Sequence, residues 1–330
     1  FITGVTKFAQ MGIFSNLNQL NDISFDLDYN PLCGMTRAEI EATFSPELEA
    51  LAVKSNATCR QVMDRLTRQY DGYRFTKDEE FTSMYNPFSV LSALQKRSYG
   101  NYWFASGTPT FLVEMLQKTD FDLREMEGIE VNEASLSDDR ADINNPIPMI
   151  YQSGYLTIKD YDERFRMYTL GFPNEEVKYG FLNFVSPFYT PIAQTDTSFY
   201  IGKFIRELES GDVDAFLTRL RCFFAGIPYD LNDRTERHYQ TVFFLVFQLM
   251  GQFTETEVRS ARGRADAVVK TPDYIYVFEF KLNDSAEAAL RQIDEKGYLL
   301  PYQADGRKVV KVGVAFEKEE RNIGEWMIGG

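Results

Sequence analysis

Gly263-Arg264-Ala265-Asp266 and, beyond the break at Thr271-Pro272-Asp273, Tyr274-Ile275-Tyr276-Val277-Phe278-Glu279-Phe280-Lys281 decide the fold. Gly263 to Lys270 has strand character, with Val268 and Val269 near its end, and Thr271-Pro272-Asp273 predicts a tight turn. The second stretch is a continuous β-branched and aromatic run, which suits a strand buried on both faces. Side chains alternate along a strand, so Glu279 and Lys281 share a face with Ile275 and Val277, while Phe278 and Phe280 point the other way. Two charges at the end of a buried strand are costly unless each has a partner.

One way to meet that cost is a bound cation. Magnesium prefers hard oxygen ligands and keeps several waters, and Asp266 and Glu279 could supply the carboxylates. Such a metal polarises a phosphate oxygen and lowers the pKa of its water, and Lys281 could orient that water or face charge developing on the phosphate. The alternative is a structural Glu-Lys pair at the rim of a sheet, since an acid-x-Lys triplet alone is a weak signal. The upstream Gly-x-x-Asp, the hairpin spacing and the apolar run together favour the metal site.

With these residues in place, the segment from about 231 to 330 resembles the PD-(D/E)XK nuclease superfamily. More narrowly, it resembles the nuclease-like domain that follows an AAA-ATPase-like domain in many bacterial proteins. The match continues through Gln292-Ile293-Asp294-Glu295-Lys296-Gly297-Tyr298 and Val312-Gly313-Val314-Ala315-Phe316. The resemblance implies an α/β, restriction-endonuclease-like fold, a mixed sheet flanked by helices. It implies a catalytic core of Asp266, Glu279 and Lys281, joined by Glu236 from the first helix, with Mg²⁺ or Mn²⁺ on Asp266 and Glu279. Ala265 stands where the family's classical pattern has proline. Gln292 and Lys296 lie four apart, on one helix face, and the resemblance places that helix beside the active site. A solvated helix face is the equal alternative for these two.

Composition limits the other choices. The 330 residues are 44% hydrophobic and 15% aromatic, enough for two or three domains with substantial cores. No apolar stretch is long enough to span a membrane; Val242 to Met250 is the longest candidate. Cys33, Cys59 and Cys222 are far apart and fit no zinc spacing, which suggests a reducing cytoplasmic setting. The single histidine, His238, rules out a histidine-rich metal site and reads as a structural residue early in a helix. A net charge of −14 argues against a broad nucleic-acid-binding surface. The charge is uneven, however: residues 231–330 carry 14 basic and 16 acidic side chains. Arg259, Arg262 and Arg264 cluster just before Asp266, where they either contact phosphates in a local groove or form a solvated loop. The partner expected is nucleic acid, DNA in the first place.

Upstream, Thr36-Arg37-Ala38-Glu39 and Thr58-Cys59-Arg60-Gln61 read as capping boxes that start helices, the second with Val62, Leu66 and Tyr70 along one face. Asp71 to Phe75, Tyr85 to Val90 and Asn101 to Pro109 are turn-rich links between short helices. By resemblance they match the C-terminal part of the AAA-ATPase-like domain through its helical lid, which assigns residues 1–146. Residues 147–230 read as a winged-helix-like hairpin turning near Asp160 to Glu163, followed by a helical connector with Val213, Phe216, Leu217 and Leu220 at helical spacing. A phosphate-binding Gly-x-x-x-x-Gly-Lys-Ser/Thr loop is absent, so ATP is expected only in a longer parent whose loop precedes Phe1, and Thr3 is a weak candidate for a γ-phosphate sensor. The expected function is a metal-dependent nuclease regulated by that ATPase module; the alternative is a catalytically idle binding module.

Overall fold

The computed structural model describes residues 23–78, 83–106, 112, 115–116, 121–137, 145–190, 193, 196–227, 236–258, 266–282, 284–317, 320 and 322–329. The expectations for Thr3 and for Arg259, Arg262 and Arg264 fall outside them. The chain divides into two compact units, Phe1–Phe181 and Leu182–Gly330.

In the first unit, α1 (Arg37–Thr43), α2 (Ser45–Ser55), α3 (Cys59–Tyr70) and α4 (Pro87–Lys96) pack around a shared core. The two capping boxes form as their sequences require, with Thr36 accepting from the Glu39 N–H and Thr58 from the Gln61 N–H. Val62, Leu66 and Tyr70 are all buried in that core, so the helical stripe read from sequence is the packing face. α5 (Tyr102–Ser106) follows.

β1 (Ile129–Asn132) leads through α6 (Glu133–Ser137) and α7 (Ile147–Gln152) to a hairpin of β2 (Thr157–Asp162) and β3 (Met167–Gly171). All pairs are antiparallel and the sheet order is β1-β3-β2. The turn occupies residues 163–166, later than the Asp160–Glu163 expected, because β2 runs on to Asp162. The Asp162 side chain then accepts from the Phe165 N–H at 2.9 Å, a local bond that fixes the reversal there.

α8 (Glu175–Val185) delivers a buried carboxylate, Glu176, to the start of α5. It accepts from Ser89 Oγ at 2.6 Å and from the Trp103 N–H at 2.8 Å. It thereby joins two sequence blocks that read as separate linkers. Burial pushes its pKa up to about 6 against these bonds. The folded value exceeds the unfolded 4.5, so this stabilisation is full below pH 4.5 and is lost as pH rises through 6. Glu176→Gln should therefore remove roughly 2 kcal/mol of pH dependence between pH 4.5 and 7 while keeping the fold. Glu176→Ala, which leaves the donors unpaired, should cost about 2–4 kcal/mol. Denaturant melts of both variants across that range check this, and a pH dependence equal to wild type in Glu176→Gln counts against it.

The second unit holds α9 (Thr197–Glu209), α10 (Val213–Ala225), α11 (Glu236–Met250), β4 (Glu255–Val258), β5 (Ala267–Lys270), β6 (Tyr274–Leu282), α12 (Ala286–Glu295), β7 (Lys308–Glu317) and β8 (Asn322–Gly329). The strands form one mixed sheet in the order β4-β5-β6-β7-β8, with β6 and β7 parallel and the other pairs antiparallel. The parallel pair is joined by the crossover through α12, as a parallel connection requires. β6 sits at the centre and is buried on both faces from Ile275 to Phe278. On one face Ile275 and Val277 pack with Val268, Ile293 and Tyr298. On the other, Phe278 meets Phe216 of α10 and Phe247 of α11 at ring-centroid separations of 5.7 and 5.2 Å. The alternation read from sequence is the one observed.

Candidate active site at the end of the central strand

The register that pairs Ala267 with Phe278 brings Asp266, just before β5, alongside the charged end of β6. Its Oδ2 accepts from the Phe280 N–H at 2.9 Å. This bond ties the acid to the next strand and fixes its direction. Phe280 is held from the opposite face by Phe243 of α11, with ring centroids 4.2 Å apart.

Glu279 is 2% exposed, and Lys281, on the same face, is 24% exposed by its side chain. Lys281 Nζ donates to Glu279 Oε1 at 3.2 Å and also donates to Gln292 Oε1. Gln292 Nε2 donates in turn to Glu279 Oε1 and lies 3.5 Å from Tyr298 Oη. One carboxylate oxygen of Glu279 is thus saturated. The other, Oε2, is buried without a hydrogen-bond partner. Burial first and the Asp266 charge second raise the Glu279 pKa to about 7, against the opposing pull of Lys281. Burial also raises Asp266, with the Phe280 N–H and Lys281 opposing.

Gln292 reaches this cluster because α12 lies close on the sheet. Gly313 pairs with Glu279 across β6 and β7, and a Cβ there would lie 2.9 Å from the Leu290 backbone nitrogen and would also strike the Ala286 carbonyl. Glycine in an otherwise apolar strand therefore marks the helix's close approach. At the other end of α12, Gly297 adopts φ +65° and the Tyr298 N–H returns to the Ile293 carbonyl at 3.1 Å. This reversal carries the Tyr298 ring back beneath the helix.

The structure brings together Asp266, Glu279, Lys281 and Gln292. Lys296, the C-cap of α12, is exposed and stands outside the network. Glu236 opens α11, and its side chain lies outside the described residues. Tyr298, Gly313 and the Phe280 N–H are additional parts. The first two stood in the sequence as a tyrosine after a helix-ending glycine and a glycine inside a strand run.

Among the described residues no three His, Cys, Asp or Glu side chains cluster as a metal-binding group. Two carboxylates with water filling the remaining positions still suit Mg²⁺, which keeps much of its hydration shell. The unpartnered, buried oxygen of Glu279 beside Asp266 is the observation that fits a cation. No helix among the described residues is long and apolar enough to cross a membrane.

A family model for the PD-(D/E)XK nuclease superfamily matches residues 234–326. An uncharacterized protein in the vnfD 5′ region of Azotobacter chroococcum mcd 1 is 33% identical over 331 residues. That alignment covers 98% of this chain and 61% of the relative, so the chain spans about three-fifths of the relative's length. No solved structure matches. Residues 234–326, with α11, the mixed sheet and the acid–acid–lysine end of its central strand, form a PD-(D/E)XK nuclease superfamily domain.

Proposed function

We propose that the chain is a metal-dependent nuclease that hydrolyses phosphodiester bonds in nucleic acid, with DNA as the first substrate to test. The observation that carries this reading is the buried Glu279 carboxylate, with one oxygen unpartnered, held beside Asp266 and Lys281. Asp266 and Glu279 would hold Mg²⁺ or Mn²⁺. When bound, such an ion polarises a phosphate oxygen and lowers the pKa of coordinated water.

The remaining work falls to the chain's own side chains. Gln292 presents its carbonyl to Lys281 and its amide to Glu279, so the ammonium and the carboxylate keep fixed positions before substrate arrives. Lys281 then positions the attacking water and faces the charge that grows on the phosphate. Glu236 assists from α11, Lys296 orients phosphate from the exposed end of α12, and Arg259, Arg262 and Arg264 contact phosphates. ATP-dependent regulation by an ATPase module, with residues 1–146 as its C-terminal part and helical lid, belongs to the proposal through the family resemblance alone. The β2–β3 hairpin that follows α7, its second strand paired with β1, supports the winged-helix-like reading of residues 147–230.

The test is cleavage of labelled single- and double-stranded DNA and RNA with Mg²⁺, Mn²⁺ or EDTA. Cleavage in either metal and none in EDTA is the expected result. Folded protein that cleaves nothing in any metal, with or without an added ATPase half, would assign the chain to binding alone.

A further inference from the structure

The β2–β3 hairpin of the first unit carries a polar cleft that hydrolysis at Glu279 does not use. The cleft measures about 570 Å³ and is lined by Lys77, Asn132, Glu133, Tyr161, Glu163 and Arg166. Lys77 Nζ sits 5.3 Å over the Tyr161 ring. At the hairpin turn, Phe165 is 65% exposed, with the Arg164 guanidinium 4.9 Å over its ring. Arg166 holds φ +54°, a left-handed conformation that favours glycine or asparagine. Among the described residues, Lys77, Arg164 and Arg166 form no salt bridge. Lys77 and Arg166 share the cleft with the carboxylates of Glu133 and Glu163, and Arg164 and Phe165 stand at the adjoining turn, so cations, carboxylates and two aromatic rings are gathered in one place.

We propose that this cleft and the adjoining turn bind a single-stranded segment of nucleic acid, a recruitment site separate from the hydrolytic one. Lys77, Arg164 and Arg166 supply phosphate contacts, and Phe165 supplies a stacking surface for a base. The carboxylates of Glu133 and Glu163 disfavour phosphate but accept hydrogen bonds from exocyclic amino groups, and Asn132 adds its amide N–H groups as donors, its Oδ1 already accepting from Ser135. Stacking and edge contacts of this kind both need bases that are not already paired, so single strands are favoured over duplex. The left-handed backbone at Arg166 is a local cost that a binding side chain offsets when ligand is present. The inference rests on the nuclease reading only in that it makes the bound strand part of the same substrate.

The experiment uses the full chain in EDTA and measures fluorescence anisotropy of labelled single-stranded DNA, single-stranded RNA and duplex DNA. Single strands should bind more tightly than duplex, and the two single-strand arms identify the sugar preferred. Arg164→Ala with Arg166→Ala should weaken single-strand binding at least tenfold and lower the salt dependence by about two phosphate contacts. Phe165→Ala should weaken it by about tenfold. Arg166→Gly should keep or raise thermal stability and still weaken binding, which separates recognition from folding. Hydrolysis of bis(4-nitrophenyl) phosphate in Mn²⁺ should be the same in all of these variants.

Variants that bind like wild type, or a wild type that prefers duplex, would overturn the recruitment site even where cleavage confirms the nuclease. Conversely, single-strand binding that depends on these residues, in a protein that hydrolyses no diester, would keep the recruitment site and remove the nuclease.

Discussion

Glu279→Gln should lower metal-dependent cleavage by about 10³-fold or more while making the metal-free protein more stable at pH 8. The two effects have one cause. Glu279 is buried at the end of the central strand, with one oxygen unpartnered and a second carboxylate, Asp266, raising its pKa. Its folded value of about 7 exceeds the unfolded 4.5. By linkage, the stability it contributes is complete below pH 4.5 and disappears as pH rises through 7. At pH 8 the ionised side chain therefore destabilises the metal-free fold, by on the order of 3 kcal/mol, and a neutral amide of the same shape removes that cost. A metal ligand, by contrast, must be ionised, so the same substitution removes a cation site. Differential scanning fluorimetry at pH 5 and pH 8, with and without Mn²⁺, reads both effects. Wild type should gain melting temperature on adding Mn²⁺ at pH 8 and gain little at pH 5. Glu279→Gln should start higher at pH 8 and not respond. A variant that cleaves at wild-type rate, or one destabilised equally at both pH values, would mean that Glu279 is a structural partner of Lys281.

The strand pair was readable because its signals are local. Period-two alternation placed Glu279 and Lys281 on the Ile275–Val277 face, and the turn at Thr271-Pro272-Asp273 aligned β5 with β6, which set Asp266 beside Phe280. Gln292 was readable from its place on a helix, but not its double contact. That contact depends on how far α12 sinks toward β7, and the determinant is Gly313, distant in sequence. Lys296 shares a helix face with Gln292, yet it falls at the C-cap, where the face is already leaving the sheet. Periodicity describes a face but not where the helix ends relative to the site. In the first unit, the turn-rich blocks around Ser89 and Trp103 looked like linkers because the carboxylate that joins them, Glu176, lies on another helix. The β1 strand carries only four residues, too short for a periodic signal, although it completes the sheet around the hairpin.

A fragment beginning at residue 231 should fail to fold, whereas one beginning at Leu182 should fold on its own. The family match starts at 234, but the aromatic core beneath the sheet draws on α9 and α10. Phe216 sits among Phe204, Phe247 and Phe278 at centroid separations of 5.5, 6.1 and 5.7 Å. Phe224 touches Phe243 and Phe316 at 4.8 and 5.2 Å. Polar ties reinforce this: Tyr276 donates to the Leu208 carbonyl at 2.6 Å, and Trp326 donates to Asp214 at 2.8 Å. Gly211, at φ +81°, turns the chain between α9 and α10 where a Cβ would meet the Tyr274 hydroxyl. Deleting the helical pair would uncover Phe247, Phe278 and Phe316, each worth about 1.5–3 kcal/mol of burial. The sum is comparable to the whole stability of an ordinary domain, roughly 5–15 kcal/mol. It would also free the α11 face that holds Phe280 in place, and with it the N–H that aims Asp266. Within the longer fragment, Phe216→Ala should cost about 3–5 kcal/mol. Circular dichroism and melting curves of the two fragments and the variant settle the matter. A soluble, cooperatively melting 231–330 fragment would show that the sheet and its site are complete without α9 and α10.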